Sequence, residues 1–403
     1  MRWRRRLLAT VGLTFALAGC AGTNVAPAGY INPEDFLTCL LTLGKGESGS
    51  INAGAIAALE DGKKRLGVAS RHSTVASSEK IDKAIASDIS ANCSLIVGVG
   101  EAFVEPLMEQ AKYHRARHFA LLLPPGATAQ ATRDNVAIVT YDLSQPAYVA
   151  GFIAAGTSAS GKVAAVAGEN NQNNKTLISA FAKGVARYNA EQDSEDSETL
   201  PVKVIPQTDK YYLGAKSDST KVKTRVESLI RQGADVIFFA EGAQNRAGLV
   251  AISQENLNRE KAAKAAAENP TESASSAVTE SASPSPTQSS PTPTASVKEN
   301  DAVGTITAIW YLTDGHETQR GVGGRKPPVL TSIVPDLSQA MTSLIEEARK
   351  DRFAANSTQI LGTYQNGWVG LTPFYEYGST VPNQVKKNSQ IIEEEFRQGT
   401  LKL

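Results

Sequence analysis

Short apolar runs alternate with amphipathic stretches along the whole chain. Several runs are apolar on both faces, as is typical of strands buried in a parallel sheet. They read TCLLTL, LGVAS, SLIVGV, FALLL, VAIVTY, VAAVAG, VKVIP, DVIFFA and ITAIWYL. Between them, stretches such as 174–190 and 219–233 repeat apolar residues at helical spacing. This alternation predicts an α/β fold in which helices cover both faces of parallel sheets, and the number of strands favours two sheets over one.

One segment interrupts this pattern. Residues 268–300 are nearly all Ser, Thr, Pro, Ala and Glu, and such a composition buries too little apolar surface to offset the entropy lost on ordering. We therefore predict a disordered insertion over 270–299. Strand-like sequence resumes at ITAIWYL, so the segment fits either an insertion within one domain or a linker between two.

The first residues have the three parts of a signal peptide, predicted over 1–19. Four arginines lie within the first six residues, and an apolar run from Leu7 to Leu17 leads into small residues. The run is short of the ~20 residues that span a bilayer. The next letters, LAGC, look like the lipobox of bacterial lipoproteins, which predicts diacylglyceryl modification of Cys20 and a palmitate-type anchor. An ordinary secretory signal with a chance cysteine is the alternative, and the arginines are compatible with Sec or twin-arginine export.

Composition limits the possible partners. The 403 residues suffice for two domains, and 41 Lys and Arg balance 41 Asp and Glu, so no global field favours nucleic acid. We predict no nucleic-acid partner. Beyond Cys20 the chain has Cys39, in the first predicted strand, and Cys93, just before the third. Those strands are neighbours in a doubly wound sheet, which predicts a disulfide; two free thiols are the alternative.

Motifs of catalysis and of cofactor binding are weak. The segment GESG lacks the spacing of a nucleophile elbow, and GVGEAF lacks that of a dinucleotide loop. Among the four histidines, His114 and His118 have the i, i+4 spacing of metal ligands, but their place before FALLL favours a solvated helix end over a zinc site. We therefore expect no catalytic residue, no cofactor and no metal. By contrast, polar loops such as ENNQNN and EGAQNR follow the predicted strands, where ligands of parallel sheets bind.

Six segments together resemble one family. They are LIVGVGEAF (95–103), NVAIVTYDLSQPAYVAGFIAAGTSASGKVAAVAG (135–168), FAKGVARYN (181–189), QGADVIFFAEGA (232–243), VLTSIV (329–334) and NGWVGLTPF (366–374). In order and spacing they are similar to the basic membrane protein family, the substrate-binding lipoproteins of ABC importers. The resemblance implies the type I periplasmic-binding-protein fold, in which two Rossmann-like lobes hold a ligand between them.

The resemblance also implies lobe boundaries and three crossings between the lobes. We expect crossings near Tyr141, near Asp314, and between Phe353 and Gly362. Lobe 1 would comprise 35–141 and 315–353, and lobe 2 would comprise 142–314 and 354–403 with the insertion. Residues 20–34 would be an N-terminal tether.

Two departures from the family pattern concern the nucleoside site. Family members carry Asp-x-Ser-Phe-Asn after the first strand, whereas this chain reads SGSIN, with Ser48 and Ile51 at the acidic and aromatic positions. A second pattern, Gly-Val-Asp-x-Asp, reads WYLTD here, so Leu312 replaces the first aspartate and Asp314 retains the second. Stacking on a base and bidentate binding of a ribose are both lost, so we expect a degenerate nucleoside site.

The fold implied by the resemblance places a set of loop residues in the cleft. These are Ser50, Asn52, Glu101, Phe103, Asn170, Glu241, Gly242, Gln244 and Asp314. The set contains no Lys or Arg, which favours a small polar ligand that is nucleoside-like or another neutral or cationic metabolite. We expect a lipid-anchored protein on the outer face of the cell membrane that delivers this ligand to ABC permease subunits. The alternative is a transport-inactive scaffold or regulator of the cell envelope.

Overall fold

The computed structural model describes residues 31–44, 51–193, 200–206, 209–215, 218–244, 246–268, 304–353 and 359–403. The expected signal peptide over 1–19, the lipidated Cys20 and the insertion over 270–299 lie outside the described residues. Within the described part, no helix is both long and apolar enough to cross a membrane.

The strands follow the predicted apolar runs. In chain order they are β1 (Leu37–Leu43), β2 (Ala69–Val75), β3 (Leu95–Val99), β4 (His118–Leu122), β5 (Val136–Tyr141), β6 (Lys162–Val166), β7 (Lys203–Ile205), β8 (Val236–Phe239), β9 (Thr307–Tyr311), β10 (Val329–Pro335), β11 (Gln359–Gly362) and β12 (Val369–Leu371).

The helices fill most of the intervals between strands. They are α1 (Ile51–Leu66), α2 (Ile81–Ser90), α3 (Val104–Tyr113), α4 (Ser144–Thr157), α5 (Gln172–Asp193), α6 (Ser219–Arg231), α7 (Arg246–Glu268), α8 (Gly315–Thr318), α9 (Leu337–Arg349) and α10 (Asn383–Arg397).

The strands form two six-stranded sheets, which confirms the predicted α/β class. The first has the order β11-β5-β4-β3-β1-β2 and the second the order β12-β10-β9-β8-β6-β7. Neighbouring strands are parallel, except that β12 runs antiparallel to β10 at the edge of the second sheet. Parallel sheets need cover on both faces. Helices α1 and α9 pack against each other on one face of the first sheet, while α2 and α3 pack on the other.

The sheet order corrects two of the expected lobe boundaries. Strand β10 pairs with β9 in the second sheet, so 315–335 belongs to lobe 2 and not to lobe 1. Strand β11 pairs with β5 in the first sheet, so 359–362 belongs to lobe 1 and not to lobe 2. The second crossing therefore lies between β10 and α9 and not near Asp314. The third lies between β11 and β12 and not between Phe353 and Gly362. Backbone pairing decides each case, because a strand belongs to the lobe whose sheet it extends.

The three crossings lie side by side and are bonded to one another. The first follows β5 and the third follows β11; the Asp142 N–H donates to the Gly362 carbonyl at 2.8 Å. The second crossing joins the third, since the Asp336 N–H donates to the Trp368 carbonyl at 2.7 Å. The hinge is thus a small hydrogen-bonded unit.

A disulfide joins β1 to the turn before β3. Cys39 and Cys93 are bonded, with their Cα atoms 5.9 Å apart. Both are buried, and β1 pairs directly with β3, the adjacency on which the expected pairing rested. The bond ties the middle of lobe 1 together at its apolar α2–α3 face.

The start of the described chain is held by lobe 1. The Ile31 N–H donates to the Arg349 carbonyl at 2.9 Å, and the Arg349 side chain donates back to the Ile31 carbonyl at 3.2 Å. Arg349 is the last residue of α9, so the N-terminal segment leaves the fold beside the end of that helix.

Candidate functional site

A cavity of about 570 Å³ lies between the lobes where the crossings meet. Lobe 1 contributes the first turns of α1 and α9, and lobe 2 contributes the loop after β9, the end of β10 and strand β12. This volume is within the range of small-molecule sites. The position matches the rule that ligands bind beyond the carboxyl ends of parallel strands.

Apolar side chains form much of the cavity wall. They are Ile51, Leu312, Val334, Leu337, Val369 and Leu371. Hydroxyl side chains, among them Thr313, Ser338 and Thr372, add uncharged polar groups. The charged residues among the described lining are Asp314 and Asp336. The site is therefore less polar than the sequence led us to expect, and its fixed charge is negative.

Asp314 is held in place by three donors. Its carboxylate caps the short helix α8 by accepting from the N–H groups of His316 and Glu317. The Tyr375 hydroxyl donates to its other oxygen, Oδ2. Burial, together with this hydrogen bond to Asp314, raises the pKa of Tyr375 above its usual range. The Tyr375 ring stacks on the His316 ring with centroids 3.9 Å apart, so Asp314 belongs to a rigid rim of the cavity.

Asp336 lies at the second crossing, on the first-lobe side of the cavity. Its Oδ1 accepts from the Gln339 N–H at 2.9 Å and so caps α9. Burial raises the pKa of the neighbouring Tyr141 far above its usual range, and the charge of Asp336 adds to that shift. Tyr141 ends β5 at the first crossing. The charge of the Asp336 carboxylate therefore acts on a residue of the first crossing.

A polar cluster of lobe 2, formed by Asn173, Glu241 and Tyr311, lies against lobe 1. Asn173, at the start of α5, donates to Glu241 Oε2 at 2.7 Å and to the Tyr311 hydroxyl at 3.4 Å. Gly126 of lobe 1 lies directly against it: a Cβ atom at Gly126 would be 2.8 Å from the Asn173 Cβ. Burial raises the pKa of Tyr311, and the charge of Glu241 adds to the shift.

The residues expected in the cleft fall into separate groups. Asp314 lines the cavity, and Asn52 lies between two lining residues of α1, where its amide donates to the Leu43 carbonyl at 3.0 Å. Glu241 joins the Asn173 cluster, and the Gln244 amide donates to the Tyr311 carbonyl at 3.4 Å. Ser50 lies outside the described residues.

Three more expected residues sit at strand ends away from the cavity wall. Glu101 is exposed after β3, and Asn170 is exposed after β6. Gly242 packs against Gly168, where an added Cβ at Gly168 would approach the Gly242 Cα to 2.8 Å. Their role in binding stays a prediction.

Phe103 requires a correction, because its ring is fully buried. It has no exposed surface and packs in the apolar layer between the first sheet and helices α2 and α3. A Cβ at Gly98 would be 2.7 Å from the Phe103 Cβ, so the glycine in β3 makes room for the phenylalanine. A buried ring cannot stack on a ligand in the cleft.

Sequence reasoning missed Asp336 and Leu337 in the cavity and Asn173 in the polar cluster. Both Asp336 and Leu337 follow β10 directly. Assigning 315–353 to lobe 1 concealed this strand end. The motif VPD, an apolar strand followed by an acidic residue, was the available signal. Asn173 lies in the ENNQNN loop, which was recognised as polar, but its letters do not say which amide faces the other lobe.

Solved structures with the same fold come from several organisms. They include a transcriptional activator of the comK gene from Bacillus halodurans (17% identity, TM-score 0.61, covering 91% of this chain and 99% of that chain). Others are an ABC transporter solute-binding protein from Conexibacter woesei (19%, 0.61, 91% and 98%) and one from Aeropyrum pernix (18%, 0.57, 91% and 92%). At these identities the likeness shows the two-lobed fold alone. No curated protein sequence matches the chain.

A family comparison goes further than the fold. The family model for PnrA-like ABC transporter substrate-binding proteins, Bmp, matches residues 49–282. The match starts just before α1 and extends past α7, so it includes β3 to β5 of lobe 1 and β6 to β8 of lobe 2. It spans more than half of the chain. The protein therefore belongs to the Bmp family of PnrA-like ABC transporter substrate-binding proteins.

Proposed function

We propose that this substrate-binding protein holds a small molecule in the cavity at the hinge and presents it to ABC permease subunits. The observation that carries the proposal is the cavity itself, which both lobes line where the three crossings meet. Lobe rotation about the crossings would open and close it. We propose no catalytic step and no cofactor. A neutral or cationic ligand suits a lining whose described charges are two carboxylates.

Filling the cavity tests this proposal. Gly370 lines the cavity in β12, and a Cβ built there meets nothing within 4 Å. Gly370→Phe should therefore occupy the site without a clash at its Cβ. We expect wild-type protein to bind at least one component of a metabolite library in native mass spectrometry, and the variant to lose that binding.

Gly378→Phe is the matched control. Gly378 also has open space around its Cβ position but lies in the turn before α10, outside the cavity lining. This variant should bind as wild type does. Equal binding by Gly370→Phe would contradict the proposed site. Absence of binding by wild type across the library would favour the scaffold function instead.

We further propose that a lipid on Cys20 anchors the protein to the outer face of the cell membrane. The basic start, the short apolar run and LAGC support this, and two acyl chains suffice for stable anchoring. Cys20→Ser should move the protein from the membrane fraction to the soluble fraction. Gly19→Ala keeps a small residue before the cysteine and should leave the protein membrane-bound. An unchanged membrane fraction for Cys20→Ser would contradict the anchor.

A further inference from the structure

Two apolar residues from different lobes lie on the cavity wall. Ile51 begins α1 of lobe 1, and Leu312 follows β9 of lobe 2. A ligand in the cavity therefore meets apolar surface from both lobes, and neither side chain can stack on an aromatic base or accept a hydrogen bond.

Leu312 has an unusual backbone for a leucine. Its φ is +74°, in the left-handed region, which glycine, asparagine and aspartate tolerate far better than other residues. Its N–H is tied to the Ile333 carbonyl at 2.8 Å, so the backbone at this point is fixed by the neighbouring strand. An aspartate would suit the backbone, yet the chain places an apolar side chain there, facing the cavity and the adjoining core. Strain of this kind is concentrated at functional sites.

Among the described residues of the cavity wall, the charged side chains are all negative. The Asp314 carboxylate accepts hydrogen bonds from two backbone N–H groups and from the Tyr375 hydroxyl. Among the described residues, the Asp336 carboxylate accepts one hydrogen bond, from the Gln339 N–H to Oδ1. The described lining has no Lys, Arg or His. A cation beside Asp336 would gain electrostatic energy, and an anion would lose it.

We propose that the ligand is a small organic amine with an apolar, non-aromatic body. Its ammonium group would pair with Asp336, and its body would lie against Leu312, Ile51 and Leu337. This inference rests on the proposed function of the cavity and specifies the class of molecule that it takes. It differs from a purine nucleoside, for whose base the described lining offers no aromatic ring to stack on.

Four probe ligands test separately how the charge and the shape of a ligand affect its affinity. Cyclohexylmethylamine, cyclohexylmethanol and cyclohexanecarboxylate share one apolar body and differ in charge, and inosine represents the nucleosides. We expect the amine to bind about tenfold more tightly than the alcohol in isothermal titration calorimetry, and the carboxylate to bind most weakly. Inosine should bind more weakly than the amine.

Asp336→Asn tests the ion pair. Asparagine caps a helix as well as aspartate does, so α9 should keep its start. The variant should bind the amine and the alcohol with similar affinity. Asp218→Asn is the control: Asp218 caps α6 in the same way, accepting from the Lys221 N–H at 2.7 Å, and lies outside the cavity lining. It should retain the preference for the amine.

Leu312→Asn tests the apolar wall and separates binding from folding. Asparagine suits the left-handed backbone, so this variant should melt at a higher temperature than Leu312→Ala, which keeps the unfavourable backbone and also loses the side chain. Both should bind the amine and the alcohol about tenfold more weakly than wild type.

The outcomes distinguish this inference from the proposed function. Tighter binding of inosine than of the amine, equal binding of amine and carboxylate, or an unchanged preference in Asp336→Asn would each overturn the amine class. If inosine binds more tightly than the amine and Gly370→Phe abolishes that binding, the cavity function stands and only the ligand class is wrong. If neither the probes nor the metabolite library bind wild type, both proposals fail.

Discussion

Asp88 in α2 places a carboxyl group in the apolar layer beside the disulfide. Its side chain is 1% exposed, and neither carboxylate oxygen has a hydrogen-bond partner among the described residues. The Arg71 Nε lies 3.7 Å from Oδ1. Burial raises the pKa of Asp88 from 3.8 to about 6, and Arg71 opposes that shift without cancelling it. The carboxyl is therefore more readily protonated in the folded protein than in the unfolded chain.

The raised pKa of Asp88 predicts a specific pH dependence of stability. The contribution of Asp88 to the free energy of unfolding is fully present below pH 3.8 and is lost as the pH rises to about 6. The reason is that the carboxyl releases its proton at a lower pH in the unfolded chain than in the folded protein. Asp88→Asn removes this titration. Between pH 3.5 and pH 7.5 the variant should gain stability relative to wild type, on the order of 2 kcal/mol. Urea denaturation at the two pH values measures the difference.

An exposed carboxyl on the same helix provides the control. Asp82 lies in the first turn of α2 and is exposed, so Asp82→Asn should follow the wild-type dependence closely. A parallel pH dependence of wild type and Asp88→Asn would show that the buried carboxyl is not the titrating group.

At the scale of elements, helices α4 and α5 approach each other so closely that two glycines are required. A Cβ at Gly184 would lie 1.9 Å from the Tyr148 carbonyl oxygen, and one at Gly151 would lie 2.0 Å from the Phe181 carbonyl oxygen. Both partner atoms belong to the backbone, so neither can move without shifting a helix. The pair places α4 and α5 over the second sheet, where Phe181 stacks on Phe238.

Gly184→Ala should therefore destabilise lobe 2. The expected loss in the free energy of unfolding is about 3 kcal/mol, at the upper end of the cost of overpacking, even though alanine favours helix. Gly378→Ala, where the added Cβ meets nothing within 4 Å, should change the free energy of unfolding by less than about 0.5 kcal/mol. Chemical denaturation of both variants makes the comparison, and equal stability of the two would refute the close approach.

The helices and strands could be predicted from the sequence because their signals are local. The apolar stripe of α6, with Val222, Val226, Leu229 and Ile230, is buried as its spacing predicted. The assignment of β10 and β11 to a lobe could not be predicted in this way. Each strand has its own apolar pattern, but the sheet that it joins depends on pairing with a strand distant in sequence. The apolar pattern within a strand does not indicate which strand it pairs with.

The site residues could likewise be predicted only in part from the sequence. Asp314 and Ile51 were marked by their place after strands or in a family pattern, and both line the cavity. Phe103 also follows a strand, yet the space left by Gly98 draws its ring into the core. A loop position after a strand therefore indicates the edge of the sheet at which a residue lies. It does not indicate whether the side chain turns toward the ligand or back into the lobe.

At the scale of the whole molecule, the three crossings and the cavity are one structure. Asp336 bonds through its N–H to Trp368 at the third crossing, and its carboxylate lines the cavity. The Asp142 N–H binds Gly362 a short distance away. Any rotation between the lobes must change the backbone near Asp336. A ligand held there therefore acts on the hinge directly, and binding and lobe closure should be coupled without a relay through the core.

The attachment of Ile31 to the end of α9 would decide which lobe the proposed anchor holds near the membrane. With the proposed lipid on Cys20, ten residues lie between the anchor and Ile31, and a chain of that length reaches at most about 40 Å. Such an anchor would keep lobe 1, which holds Ile31 through Arg349, near the membrane surface. Lobe 2 would then be the lobe that moves relative to the membrane when the lobes rotate about the crossings. The mouth of the cleft could then turn toward a permease only within the distance that those ten residues allow.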